Sequence, residues 1–331
     1  MSTIPTKAPA LTAEQEQSQR RLRLTGFLRE AGTLIGLILL MSFFASQSQI
    51  FLSERNLINI LQQSAINACI AIGMTMVIIS GGIDLSVGSV AAFTGVITAD
   101  LMFKGTPVLL ALLIGAGLGI ACGVFNGLLV SRARLQPFIA TLGTMSVYRA
   151  LALIYTGGNP ILSVPGDYRA FFTGTVGPFP MPVVIVAVMA LVAWVILRRT
   201  PLGEYILAIG GNEEAANICG VPITLTKLAV YGMSGFLSTL ASLILIGRLG
   251  AAEPILGQGW ELDAIASAAI GGASLSGGKG SMIGTLLGAI ILGTMRNGLT
   301  LMNVQAFYQL LATGVIILLA MLVDRFTRGS N

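Results

Sequence analysis

The sequence predicts an all-α, polytopic membrane protein with about ten transmembrane helices. Three observations predict it. Of 331 residues, 54% are hydrophobic and 10% charged, too little charge to solvate a soluble domain of this length. Apolar runs close to the roughly 20 residues that span a bilayer as a helix recur from about residue 31 to 323. Lipid gives backbone groups no outside partner, which leaves helices or a closed barrel, and long apolar runs are helical. The basic residues, finally, sit at the ends of these runs.

Taken in order, a tail (1–30) carries Arg20, Arg21, Arg23 and Arg29. No small-residue cleavage site ends the first apolar run, so the tail is not read as a cleavable signal. The predicted spans are 31–48, 61–80, 84–103, 107–130, 136–155, 182–197, 228–247, 262–278, 281–300 and 305–323. Together 31–325 form one membrane domain with an internal polar loop at 198–227, followed by a tail (326–331). Basic residues favour the cytoplasmic side. Arg132, Arg134, Arg198, Arg199, Arg325 and Arg328 all fall there when both termini are cytoplasmic, which requires an even number of spans. Several runs are short or interrupted by glycine, so eight spans plus re-entrant pieces is the alternative. A nucleic-acid partner is excluded, because the +5 net charge flanks membrane spans.

Two segments look alike: GVFNGLLVSRARLQPFIATLG (123–143) and GTMRNGLTLMNVQAFYQLLATG (293–314), with Asn126-Gly127 matching Asn297-Gly298. They lie five spans apart and would run in opposite directions, the mark of an inverted internal repeat. Chance apolar likeness is the alternative. Gly115, Gly119, Gly123 and Gly127 recur every four residues, as do Gly280, Gly284 and Gly288. That spacing lines one helix face with small residues and lets a neighbouring backbone approach closely.

Much chemistry is excluded. The chain has no histidine, the commonest general base and metal ligand near neutral pH. Cys69, Cys122 and Cys219 are far apart and suit neither a disulfide framework nor a metal site. The stretch GGASLSGGKGSMIG (271–284) lacks the phosphate-loop spacing: Ala273 precedes Gly278 by five and Gly280 follows Lys279. It reads as a tight glycine turn between spans. Near the spans lie four acids, Asp84, Asp100, Glu261 and Asp263. Asp84 fits a helix N-cap, and Glu261 and Asp263 fall where a span begins. Intramembrane ionisable groups are also pathway candidates, which keeps Asp84, Glu261 and Asp263 in view.

The polar loop holds a short helix, 213–219. Asn212 is a good N-cap, and Glu213 and Glu214 meet the positive end of the helix dipole. Gly220 suits the C-terminus and Pro222 blocks continuation. So short a helix is unstable alone. Ala215, Ile218 and Cys219 share a face by their i, i+3, i+4 spacing. Either the underside of the membrane domain covers that face, or a groove in a soluble partner does.

GGIDLSVGS (81–89), LAIGGNEEAANICGV (207–221), ELDAIASAAIGGASLSGGKG (261–280) and VIILLAMLVDR (315–325) together resemble the permease subunit of ribose-type ABC sugar importers. The likeness runs over about residues 50–325, and Glu214-Ala215-Ala216 followed by Gly220 matches the loop by which importers dock on their ATPase. The resemblance implies two permease subunits, a separate cytoplasmic ABC ATPase that carries ATP and Mg, and a periplasmic sugar-binding protein that delivers a monosaccharide across the bacterial inner membrane. No cofactor is expected in this chain. The helix formed by Asn212, Glu213, Glu214, Ala215, Ala216, Ile218 and Gly220 would be the coupling helix. A neutral polyol needs no counter-ion, so Ser86, Ser89, Asn126 and Asn297 join the acids as pathway candidates; gluing helices together is their other reading. Arg55, Arg169 and Arg248 fall on the predicted periplasmic side and are candidates for docking the binding protein, with snorkelling at the lipid interface as the alternative. A stand-alone secondary carrier would need buried carboxylates, which are few. A membrane enzyme would need a nucleophile–base pair, which the sequence does not offer.

Overall fold

The computed structural model describes residues 32–328, without the side chains of residues 317 and 319–328; the N-terminal tail up to residue 31, residues 329–331 and the side chains of Arg325 and Arg328 lie outside the described residues. The helices follow the apolar runs. They are α1 (Gly32–Gln47), α2 (Glu54–Ile79), α3 (Val87–Phe103), α4 (Val108–Ser131), α5 (Pro137–Thr156), α6 (Gly166–Thr173), α7 (Met181–Arg199), α8 (Pro201–Gly211), α9 (Glu213–Ile218), α10 (Ile223–Leu249), α11 (Trp260–Ile270), α12 (Met282–Leu301) and α13 (Ala306–Arg328). Six of them, α2, α4, α5, α7, α10 and α12, are long and apolar enough to cross a membrane. Shorter apolar helices cover α1, α3 and the start of α13. Two small antiparallel pairs complete the described elements: β1 (Ile161–Leu162) with β4 (Ala251–Ala252), and β2 (Thr175–Val176) with β3 (Phe179–Pro180).

One predicted span is corrected. The run 262–278 is a helix only as far as Ile270, followed by a loop from Gly271 to Ser281. Eleven residues rise about 16 Å, half the roughly 30 Å hydrocarbon core. Gly272 takes positive φ just past the Gly271 cap, which ends the helix despite the apolar residues around it, and Gly277 and Gly278 turn the loop with positive φ further on.

The inverted repeat is visible in how helices pack. α4 packs on α10 as α12 packs on α2. α3 packs on α4, α5 and α10, and α11 packs correspondingly on α12, α13 and α2. The centre is the crossing of α2 with α10. Both are largely buried along their length, whereas α4, α5 and α7 turn Leu109, Leu113, Ile154 and Leu191 outward, as a lipid-facing belt should.

The glycine rows sit where backbones meet. A methyl on Gly123 would overlap the Tyr231 carbonyl oxygen on α10, and one on Gly288 the Ser267 carbonyl oxygen on α11. Close approach replaces the hydrophobic drive that helices lack inside lipid.

Two faces of the bundle follow from contacts between loops. On one face, the end of α2 meets α8 and the loop 271–281: the Gly278 amide donates to the Ile79 carbonyl at 2.8 Å. On the opposite face, β1 pairs with β4, and the Tyr155 hydroxyl donates to Asp100 beside the Asp100–Lys104 ion pair.

Candidate functional site

The polar loop folds as a helical corner. α8 ends and α9 begins on one residue, Asn212, whose side chain accepts from the Ala215 amide at 2.9 Å. Glu213 and Glu214 fill the first turn of α9. The helix ends at Ile218 with Cys219 as C-cap. Gly220 follows at φ +81°, the left-handed conformation that glycine adopts without a Cβ penalty. The Gly220 and Val221 amides then close on the carbonyls of Asn217 and Ala216, both at 3.0 Å.

Two anchors hold this corner to the membrane domain. The first is ionic: the Lys227 ammonium on α10 donates to both oxygens of Glu213, at 2.7 and 2.8 Å. Lys227 is buried and Glu213 half-exposed, so the carboxylate is what keeps a buried cation satisfied. The second is steric. A methyl on Gly210 would overlap the Ile79 carbonyl oxygen, and Gly277 packs on the backbone of Gly210 and Gly81. Three glycine-bearing segments (81–82, 210–211 and 277–278) thus meet backbone to backbone beneath α2.

Of the face predicted on the short helix, the membrane domain covers none. It buries Ala216 instead. Ala215, Ile218 and Cys219 stay exposed, and Ile218 is 81% accessible. Glu214 is exposed as well.

Asp84 is buried just past the end of α2, and it does not cap α3. The helix starts at Val87 with Ser86 at the cap, and Asp84 accepts instead from the Ser86 amide (3.0 Å) and hydroxyl (2.7 Å). A third bond comes from the Ser234 hydroxyl on α10 at 2.8 Å. Asn126 joins by donating to the Ser86 hydroxyl at 2.7 Å. Ser89 is buried one turn on and donates to the Ser86 carbonyl. Four of the predicted residues therefore form one network with Ser234.

Asn297 lies at the other end of α2. It exchanges two amide hydrogen bonds of 2.9 Å with Asn56. The matched asparagines of the repeat thus sit near opposite faces, as inversion requires.

Glu261 is half-buried on the first turn of α11, beside Gly88. Asp263, buried in the same turn, receives the Arg296 guanidinium at 2.5 Å. Both Asp263 and Arg296 line a cavity of about 210 Å³ with Gln63, Asn67, Arg248 and Trp260. Arg248 is turned inward, donating to Gln62 at 3.1 Å, whereas Arg55 and Arg169 are exposed. Sequence reasoning missed Gln63, Asn67, Trp260 and Arg296. The available signal was the four-residue spacing of Gln63 and Asn67 on one face of α2. Among the described residues no cluster of potential metal ligands occurs.

Comparison with known proteins adds the following. The family model described as "Branched-chain amino acid transport system / permease component" matches residues 56–321. The ribose import permease protein of Bacillus subtilis is 42% identical over 320 residues, covering 95% of this chain and 98% of that protein. The ribose import permease protein of Escherichia coli K12 is 43% identical over 314 residues, covering 94% and 98%. The D-allose transport system permease protein of Escherichia coli K12 is 40% identical over 301 residues, covering 90% and 92%. No solved structure matches the chain.

Proposed function

The chain belongs to the branched-chain amino acid transport system / permease component family, and from that membership we propose that it is the membrane subunit of an ATP-driven importer for ribose. Ribose is taken from the relatives, two of which are ribose import permeases over nearly their whole length. The site works through a partner ATPase. α9 seats in a groove of that protein, with Ile218 as the apolar anchor and Glu214 beside it. ATP-driven closure of the ATPase pushes on α9. Gly210 carries the push to the end of α2, and the Glu213–Lys227 pair carries it to α10, the two helices that cross at the centre.

The observation that carries this reading is the exposed, capped and doubly anchored α9. An isolated two-turn helix does not persist in water, yet here it is built, fastened and left with Ile218 uncovered. A secondary carrier has no use for such a surface. Two copies of the permease, an ATPase holding ATP and Mg, and a periplasmic binding protein complete the proposed assembly in the bacterial inner membrane, with both termini and α9 cytoplasmic. The chain itself binds no nucleotide and hydrolyses none.

The test is uptake by vesicles containing the permease, its ATPase and its binding protein. Wild type takes up ribose only with ATP inside the ATPase compartment. Replacing Glu214 and Gly220 leaves insertion intact and uncouples hydrolysis from uptake. Normal uptake by that variant, or ATP hydrolysis by the purified permease alone, overturns the assignment.

A further inference from the structure

We infer that the cavity between α2, α10, α11 and α12 is a subsite for one neutral monosaccharide within the permease itself; this rests on the sugar-transport reading above. The cavity lies toward the face that carries β1 and β4, where α10 ends and α11 begins. Its volume of about 210 Å³ equals roughly seven waters at about 30 Å³ each. That is below the roughly 300 Å³ at which pockets for drug-sized ligands start, and it suits a single aldose ring rather than a disaccharide.

Its lining has the two characters of a sugar. Ile66, Leu245, Leu292 and the partly buried Trp260 supply apolar wall. The indole is an amphipathic plate on which the carbon-bound hydrogens of a sugar face can pack. The polar lining is held in place but not used up. Asn67 donates to Ser267 at 2.9 Å, which leaves its Oδ1 open. Asp263 gives Oδ1 to Arg296, and no hydrogen bond reaches Oδ2 among the described residues. The Gln63 amide has no hydrogen-bond partner among the described residues. Of the three, the Asp263 carboxylate is buried, Asn67 half-buried and Gln63 exposed, so the open Asp263 oxygen gains most from a ligand that satisfies it. Sugar hydroxyls do both: they donate to Asp263 Oδ2 and Asn67 Oδ1, and they accept from Gln63 and the guanidinium of Arg296.

The experiment uses the full chain in lipid nanodiscs. The sequence has two tryptophans, so Trp194→Phe leaves Trp260 as the sole indole reporter. D-ribose, D-allose, D-ribose 5-phosphate and sucrose are titrated against its fluorescence. The expected result is a saturable change with the two monosaccharides and none with sucrose. Asn67→Ala and Gln63→Ala, which leave the Asp263–Arg296 pair in place, each weaken the apparent affinity roughly three- to tenfold, one neutral hydrogen bond's worth. The subsite is overturned by no saturable response to either monosaccharide, by an equal response to sucrose, by the phosphate binding best, or by unchanged affinity in both variants. Vesicle uptake separates the two levels. A wild-type complex that transports ribose while its permease shows no Trp260 response removes the subsite alone; a wild-type complex that transports nothing removes both.

Discussion

Truncating Ile218 to alanine should weaken the grip of the ATPase on the permease while leaving the permease itself intact. Ile218 is 81% exposed on α9 and makes no polar contact, so little of the fold depends on it. Fully burying an isoleucine is worth about 1.5–3 kcal/mol relative to leaving it in water. Alanine keeps one carbon of the side chain, so the loss is about 1–2 kcal/mol per docked helix. At 1.4 kcal/mol per factor of ten, that is roughly a 5- to 30-fold rise in Kd. The assay is binding of purified ATPase to nanodisc permease, followed by light scattering or biolayer interferometry. Thermal unfolding of the permease is the control, and it should move by less than the equivalent of about 0.5 kcal/mol, as surface substitutions usually do. An unchanged Kd with normal ribose uptake would refute the docking of this face. A changed melting transition would show instead that Ile218 serves the fold.

Two further perturbations address the anchors. Asn212→Ala removes the bond to the Ala215 amide and should cost α9 about 1 kcal/mol, read as faster amide exchange across 213–218 and a lower transport rate per ATP, while Asn212→Ser retains most of both. Glu213→Gln should lower thermal stability more than Lys227→Met, because the first strands a buried ammonium and the second strands a half-exposed carboxylate; the reverse order would mean that the pair is not what holds α9. Gly210→Ala should disturb coupling more than Gly211→Ala, since a methyl at 210 meets the Ile79 carbonyl and one at 211 meets open space. Equal ATP-to-sugar ratios in the two variants would remove the steric link to α2.

Much of the fold was legible because lipid leaves few options. Long apolar runs must be helices, and each predicted span lies on a helix. The exception of degree is 262–278, where hydropathy alone could not register that Gly271-Gly272 ends α11 early. α8 leaves little signal in the sequence, because Pro201–Gly211 is short and flanked by the polar residues of the loop. α6 and the two-residue strands carry too few residues for any periodicity. The inverted repeat showed in sequence only in the segments 123–143 and 293–314. Packing reveals the rest, because symmetry acts on helix contacts rather than on residue identity.

The corner around α9 was readable from capping chemistry, which is local: Asn212, two glutamates and Gly220 lie within nine residues. Its anchors were not. Lys227 sits 14 residues from Glu213, and Gly210 finds Ile79 from another helix. The same holds for the acids. Asp84 looked like a cap because it precedes a helix, but its partners Ser234 and, through Ser86, Asn126 come from α10 and α4. The Asp263–Arg296 pair joins residues 33 apart, and no spacing rule connects them.

The most direct measurement uses a cysteine the protein already has. Cys219 is exposed beside Ile218, while Cys69 and Cys122 are buried. A short thiol-to-amine cross-linker applied to the assembled importer in nanodiscs should join the permease to its ATPase through Cys219, and the product should vanish in Cys219→Ser. ATPase bound beforehand should also shield Cys219 from a small maleimide. Equal maleimide labelling with and without the ATPase, and no Cys219-dependent cross-link, would contradict the claim that α9 is where the permease meets its motor.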